Sequence, residues 1–118
     1  MSRLTKEKPP IIYGDGAQTR DFIHVKDVVE ANMRCLESTN LSGGVFNVGT
    51  GIPTTINHLA EVLSKLMHHS ELKPTYSKPR KGDIQRSYAD TSLAHKVLGF
   101  GAKITLDEGL GSLVAEAS

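Results

Sequence analysis

The sequence predicts a mixed α/β fold, because short apolar runs of strand length alternate with segments whose apolar residues recur at helical spacing. Its 118 residues suit one domain, so 1–118 is expected to be a single domain with a polar lead-in over residues 1–9. Apolar residues make up 38% of the chain and charged residues 23%, which is typical of a folded chain and not of a disordered one. These patterns leave the order of the strands open.

The first half of the chain is predicted to hold two short strands and a helix. Residues 11–13 have the apolar, β-branched character of a strand, and they run into the turn Gly14-Asp15-Gly16 after two prolines that disfavour helix. Residues 22–25 predict a second extended segment. From Asp27, which is placed to cap a helix, the apolar spacing becomes helical, and Gly43-Gly44 is expected to end that unit. The stripe expected to be buried consists of Val25, Val28, Val29, Asn32 and Leu36.

The second half is predicted to hold a two-faced strand and three helices. Residues 45–48 are apolar on both alternating faces, which is typical of a strand covered on both sides. Thr54 or Thr55 can cap a helix through about Met67, with Ile56, Leu59, Leu63 and Leu66 on its buried side. A polar segment over 68–85 is expected to carry one strand at Thr75-Tyr76. Asp90 is expected to cap a helix that ends at Gly99, and Thr105-x-x-Glu108 has the form of a capping box.

Charge and cysteine content exclude several classes of protein. Fourteen basic and thirteen acidic residues leave a net charge of +1, which argues against a dedicated nucleic-acid binder. The single cysteine, Cys35, cannot form an internal disulfide and is expected to be a packed thiol in a reducing compartment. No apolar run approaches a membrane span, and residues 1–10 lack the apolar stretch of a signal peptide. We therefore expect a cytoplasmic chain without a membrane partner.

Two segments could carry chemistry. Arg20 follows the glycine-rich turn 14–16, where its paired N–H donors could bind a phosphate in a geometry that lysine cannot copy. The alternative is a hairpin turn in which Arg20 and Asp21 form a solvated pair. Arg80 and Asp83 lie in a basic loop, where an arginine on a diphosphate and an acid on the adjoining ribose would form a nucleotide site. Spacing alone favours ordinary charged loops at both places.

Other residues give weaker signals. His68 and His69 would point apart on a helix and have no acid or cysteine at ligand spacing, so no metal site is predicted. His24 is expected to orient the helix that follows it. The chain contains neither Gly-x-Gly-x-x-Gly nor a P-loop, so it carries no standard loop for nucleotide phosphates.

Four motifs in a specific order resemble the C-terminal, substrate-binding part of the extended short-chain dehydrogenase/reductases, the NAD-dependent nucleotide-sugar epimerases and dehydratases. They lie in residues 12–32, 45–51 and 80–90, and at the end of the chain in 98–100 together with 106–110, so the resemblance covers almost the whole chain from Pro9 onward. It implies a chain that binds a UDP-sugar and lacks the Rossmann nucleotide-binding half. The nearest likeness is to the UDP-glucose 4-epimerases, with related dehydratases and decarboxylases as the alternative.

The resemblance assigns substrate-binding roles to matching positions. Ile11, Ile12 and Tyr13 correspond to the strand that lines the nucleotide base. Arg20 and Arg80 correspond to the two arginines that bind the substrate diphosphate, and Asp83 corresponds to the acid that binds the uridine ribose. Because the resemblance predicts both arginines together, it favours binding roles over ordinary solvated loops. Ser87 stands where some relatives have a tyrosine that contacts substrate.

The family's catalytic Tyr-x-x-x-Lys is missing, because Ala17, Arg80 and Ser92 stand four residues after the three tyrosines. The resemblance therefore implies no catalytic residue in this chain, no metal, and NAD only in the parent enzyme, where it would accept a hydride from the sugar and return it. The alternative outside the enzymes is a non-catalytic binding or interaction module. A chain that lacks the nucleotide-binding half is also expected to form a homo-oligomer through the exposed segment 45–48 and its flanking helices.

Overall fold

The computed structural model describes residues 1–38 and 44–117, and it confirms a mixed α/β architecture. The strands form two small sheets. β1 and β4 pair in parallel with Ile12 opposite Tyr76, and β2 and β3 pair antiparallel with Arg20 opposite Thr54. In chain order the elements are α1 (Ser2–Thr5), β1 (Ile11–Tyr13), β2 (Thr19–Arg20), α2 (Val25–Glu37), β3 (Thr54–Thr55), α3 (Ile56–Leu66), β4 (Thr75–Ser77), α4 (Ser92–Leu98) and α5 (Leu106–Ala117).

The chain forms a thin slab of 51 × 33 × 16 Å. Its radius of gyration is 16.8 Å, whereas a compact domain of this size has a value of roughly 13 Å. The central core cluster consists of Ala31, Ala94, Leu98 and Phe100, and Cys35 packs against it, which confirms the packed thiol. A slab about one helix and one sheet thick buries few side chains. None of the helices in the described ranges is long and apolar enough to cross a bilayer.

Helix α2 turns the predicted buried stripe towards solvent. Its buried residues are Asp27 and Ala31, whereas Val29 and Leu36 are exposed, Leu36 by 80%. The helix begins at Val25, two residues before the predicted start, and its cap is His24, whose Nδ1 accepts from the Lys26 N–H at 3.0 Å. The predicted orienting role of His24 is therefore confirmed, and the predicted cap at Asp27 is wrong.

Two predicted strands do not form. The extended pairing in the first half lies at Thr19–Arg20 and not at 22–25, because Val25 already belongs to α2. Residues 45–48 form no strand either, since a segment that is apolar on both faces needs a neighbouring strand, and no described residue pairs with it. Val45 is 85% exposed, while Phe46 and Val48 pack against the core cluster. The predicted end of the helix is Gly43-Gly44, and Gly43 lies outside the described residues.

The caps of the other helices follow the predictions more closely. Thr55 Oγ1 accepts from the His58 N–H at 3.1 Å and begins α3, and Thr105 Oγ1 accepts from the Glu108 N–H at 3.2 Å and begins α5. Helix α4 ends as predicted at Gly99, which has a left-handed backbone conformation. Its N-cap position is Thr91, although Asp90 Oδ1 accepts bonds from the Ser92 N–H and hydroxyl. The cap predicted at Asp90 therefore lies one residue away.

The C-terminus of α3 provides a test of backbone strain. The His69 N–H donates to the Ser64 carbonyl at 2.8 Å and the His68 N–H to that of Lys65 at 3.2 Å, which is the Schellman pattern. His68 occupies the left-handed position with φ of 59°, where an L-residue with a Cβ costs about 1–2 kcal/mol. Glycine meets no such cost, although it loses more entropy on folding. We expect His68→Gly to raise the free energy of unfolding by about 0.5–1 kcal/mol in urea denaturation, while His58→Gly, inside α3, lowers it.

Candidate functional site

The candidate site in the described part of the chain is a cleft between the end of β1 and the segment that follows β4. It has a volume of about 630 Å³, within the range of small-molecule sites. We call it the Tyr13 cleft. Its lining includes Tyr13, Gly14, Gln18, Tyr76, Pro79, Arg80, Gly82 and Asp83. The parallel pairing of β1 with β4 creates the cleft, because it sets the glycine turn 14–16 beside the basic loop 78–83.

Arg20 and Asp83 form an ion pair across 63 residues of sequence. Arg20 Nη2 donates to Asp83 Oδ1 at 2.5 Å, and Arg20 Nη1 donates to the Thr19 carbonyl at 2.6 Å. About 30% of each charged side chain is exposed, so the pair alone adds little to stability. The alternative of a hairpin with an Arg20–Asp21 pair is wrong, because β1 and β2 belong to different sheets and Arg20 pairs with Asp83.

Arg80 lies over the ring of Tyr13, with its guanidinium carbon 4.5 Å from the ring centroid. This cation–π contact holds a positive charge against the wall of the cleft without neutralising it. The donors of Arg80 and the carboxylate of Asp83 therefore line one cavity. Arg20 joins them through Asp83, so three of the charged residues singled out in the sequence meet at one place.

The remaining predicted site residues lie in three environments. Ile11 is partly exposed on β1, whereas the Ile12 side chain is 3% exposed and faces the interior. A ligand beside β1 would therefore meet the backbone of Ile12 and not its side chain. Ser87 lines a neighbouring cavity of about 380 Å³ together with Arg20 and Asp21.

Asp21 receives four hydrogen bonds from two other segments. Its Oδ1 accepts from the Thr50 N–H at 2.9 Å and the Thr50 hydroxyl at 2.6 Å, and its Oδ2 accepts from the N–H groups of Gly51 at 2.9 Å and Ala89 at 3.1 Å. Burial by itself would raise the pKa of Asp21, but these bonds outweigh it and hold the pKa below its ordinary value. A depressed carboxyl pKa contributes stability above the ordinary value, and that stability is lost as the pH falls through the folded-state pKa.

Sequence reasoning missed this residue and two others that shape the cleft. Gln18 is buried, and its Nε2 donates to the Tyr13 carbonyl at 2.9 Å, which fixes the end of β1. Tyr76 donates its hydroxyl to Asn57 Oδ1 at 2.8 Å and ties β4 to α3. The only sequence signal for Asp21 was its position beside Arg20. The sequence spacing gave no signal for Gln18, because its hydrogen-bond partner, the Tyr13 carbonyl, lies on a strand edge that only the fold defines.

Among the described residues, no group of three or more His, Cys, Asp or Glu side chains is placed to hold a metal ion. His68 and His69 lie at the end of α3, where His69 Nδ1 is 3.3 Å from Glu71 Oε1. Two features of the NAD site of such enzymes are not found at β1 or in the sequence. β1 leads into β2 and not into a helix whose N-terminus could take a pyrophosphate, and the 118 residues contain no Tyr-x-x-x-Lys. No step of NAD chemistry is assigned to these residues.

Comparison with known proteins places the chain in a family. The family model for GDP-mannose 4,6 dehydratase matches residues 1–113. The chain is 33% identical over 119 residues to UDP-glucuronic acid decarboxylase 1 of Arabidopsis thaliana, which covers 98% of this chain and 26% of that protein. It spans about a third of the length of the first curated relatives that it matches.

Two solved structures have the same fold over nearly the whole chain. UDP-glucose 4-epimerase of Thermotoga maritima with UDP-glucose superposes with a TM-score of 0.88 at 38% identity, over 96% of this chain and 36% of that one. UDP-glucuronic acid 4-epimerase of Bacillus cereus, in complex with UDP-glucuronic acid and NAD, has a TM-score of 0.86 at 28% identity, over 98% and 38%. The resemblance found in the four sequence motifs is confirmed: the chain belongs to the NAD-dependent nucleotide-sugar epimerase and dehydratase family of extended short-chain dehydrogenase/reductases.

Proposed function

We propose that this chain binds the UDP moiety of a nucleotide sugar in the Tyr13 cleft, as the substrate-binding portion of a UDP-glucose 4-epimerase. The observation that carries the proposal is the ion pair between Arg20 and Asp83, since it joins two motifs that are 63 residues apart and connects Arg20 to the cleft that Asp83 lines. The presence of UDP-glucose in the Thermotoga maritima structure supports the same substrate class.

Each charged residue would act on one part of the ligand. Arg20 and Arg80 supply guanidinium forks whose paired donors match the oxygens of a diphosphate. Asp83 supplies carboxylate oxygens that accept hydrogen bonds from the hydroxyls of a ribose. A diphosphate would then compete with Asp83 for Arg20 and release the carboxylate towards the sugar of the nucleoside. Since these contacts hold the UDP, the hexose beyond it stays free to turn.

A calorimetric titration with UDP tests this proposal. We expect weak but saturable binding of UDP to the wild-type chain, together with protection against heat. Asp83→Ala should weaken UDP binding because it removes the acceptor for the ribose. The same change should leave pyrophosphate binding equal or stronger, because Arg20 no longer pairs with Asp83 and its charge and N–H donors are available to the anion. Equal losses for both ligands would contradict the ribose assignment.

We predict that the isolated chain has no epimerase activity and retains no NAD. The physical reason is that neither the catalytic tyrosine–lysine pair nor a glycine loop for the dinucleotide occurs in its sequence. The measurement is the conversion of UDP-galactose with added NAD, with an intact family enzyme as the positive control. Turnover above background that copurifies with this chain would show that the prediction is wrong.

Three other functions predict different results. A dehydratase or decarboxylase portion is supported by the relative from Arabidopsis thaliana, and it would prefer UDP-glucuronic acid to UDP-glucose in the same titration. A non-catalytic module would bind UDP but would give no epimerase activity when a nucleotide-binding half is supplied as a partner. A nucleic-acid binder through residues 78–81 would instead show DNA binding with a steep salt dependence and no response to UDP.

A further inference from the structure

We propose that Asp21 is the positioning residue of the UDP site: its carboxylate fastens the segment that carries Asp83 and the turn at 49–51 to the strand that carries Arg20. The inference rests on the proposed function for its ligand and on the hydrogen bonds of Asp21 for its geometry. Arg20 is the last residue of β2 and Asp21 follows it directly, so a movement of the Asp21 backbone displaces the backbone from which the Arg20 side chain extends.

The hydrogen bonds around Asp21 form one continuous junction. Thr19 donates its N–H to the Gln85 carbonyl at 2.8 Å, and the Ser87 N–H donates to the Thr19 carbonyl at 3.1 Å. Two residues further along, the Ala89 N–H donates to Asp21. The stretch 85–89 thus runs beside β2, and the hydrogen bond from Ala89 to Asp21 follows the two bonds to Thr19. Because Asp83 lies only two residues before this stretch, the junction sets the position from which Asp83 reaches Arg20.

The backbone at Gly49 lies close to Asp21 and Ala89. A Cβ at Gly49 would lie 2.7 Å from Asp21 Oδ2 and 2.8 Å from Ala89 Cβ. Each carboxylate oxygen of Asp21 accepts hydrogen bonds from two donors. In Asp21→Asn an NH₂ group, which cannot accept a hydrogen bond, would replace one of these oxygens and face two N–H or O–H donors. Asp21→Asn and Gly49→Ala therefore disturb the same junction by independent means, one through hydrogen bonding and one through volume.

Asp27→Asn is the matched control. Like the half-buried Asp21, the buried Asp27 has a carboxylate that accepts from backbone N–H groups, here those of Lys103 and Ile104. It lies on α2, however, and does not line the cavities beside Arg20 or Tyr13. Loss of that carboxylate should destabilise the fold without moving Arg20. The comparison between Asp21 and Asp27 therefore separates a positioning role from general stability.

The experiment measures the Kd for UDP and for uridine by calorimetry and the side-chain ¹⁵Nε signal of Arg20 by NMR, on folded wild-type chain and the three variants. We expect Asp21→Asn and Gly49→Ala to weaken UDP by about tenfold or more and uridine by less, and to shift the Arg20 signal. Asp27→Asn should change neither quantity.

The outcomes separate the inference from the proposed function. If wild-type chain binds no UDP, the proposed function fails, and the Arg20 signal alone then decides the inference. An unchanged Arg20 signal in Asp21→Asn, or an equal shift in Asp27→Asn, would overturn the positioning role even if UDP binds to the wild type. If Asp21→Asn does not fold, Gly49→Ala and the hydroxyl deletion Thr50→Val provide the same two readouts.

Discussion

Replacing Arg20 or Arg80 with alanine is expected to weaken UDP binding by about 10- to 150-fold. Each change removes a set of hydrogen bonds to a charged group, which contributes about 1.5–3 kcal/mol, and a tenfold change in Kd corresponds to about 1.4 kcal/mol. Arg80 lines the Tyr13 cleft and Arg20 pairs with Asp83 on its wall, and we therefore propose one anion for both arginines. The measurement is a calorimetric titration with UDP, made on each single variant and on the double variant.

The control is Arg86→Ala, which removes the same charge from an exposed position in the same segment. A nonspecific electrostatic effect would lower the affinity equally in all three variants and would contradict the site. Arg20→Lys keeps the charge and loses the planar fork, so it should recover only part of the affinity. Full recovery by lysine would mean that charge alone, and not paired hydrogen bonding, binds the anion.

Self-association is the second large effect that we expect, and α2 carries it. Val25, Val29, Met33 and Leu36 are exposed and lie within about 80° of one another around a helix with 100° per residue. Such a face is costly in water, at about 25 cal/mol for each Å² of apolar surface. We propose a homodimer in which two copies of α2 cover each other, with the exposed Val45 nearby in sequence. The edge strand at 45–48, through which the sequence predicts self-association, is not present in the structure.

The charges beside this stripe favour an antiparallel pair. Lys26 and Glu37 lie on the same flank of α2, at its two ends, and both are exposed. A two-fold axis would therefore set Lys26 of one copy opposite Glu37 of the other. Light scattering at micromolar concentration should give twice the mass of one chain, and Val29→Lys should give a monomer.

The matched control for this surface is Leu113→Lys on α5, which introduces the same charge at an exposed leucine and should leave the dimer intact. Lys26→Glu should weaken the dimer by like-charge repulsion, and the double change Lys26→Glu with Glu37→Lys should restore it. A monomeric wild-type chain, or equal effects of Val29→Lys and Leu113→Lys, would rule out pairing through α2.

Elements with a strong local signal were predictable from the sequence. The threonines at 55 and 105 begin helices because each hydroxyl accepts from an N–H three residues later, a bond that needs only the local chain. Gly99 ends α4 for an equally local reason, since its backbone is left-handed. β1 formed as expected because residues 11–13 have little tendency to any other structure.

The failures occurred where the local signal competes with distant partners. The apolar stripe of α2 was real, but its direction depended on which surface the rest of the chain offers, and here Asp27 turns inward because it accepts the N–H groups of Lys103 and Ile104, more than 70 residues away. Residues 45–48 have the composition of a strand but no partner strand among the described residues, and backbone hydrogen bonds between strands are never local.

The same distinction between local signals and distant partners applies to the candidate site. By itself the sequence determined the family and the residue types of the site, because the motifs around Arg20, Arg80 and Asp83 are short and ordered along the chain. Only the tertiary structure decided that Arg20 pairs with Asp83, that Arg80 stacks on Tyr13, and that Asp21 holds the segments together. These contacts link residues separated by 29 to 68 positions. Side-chain chemistry is a property of each residue, whereas such contacts depend on how β1, β2 and the 78–89 segment are brought together by the fold.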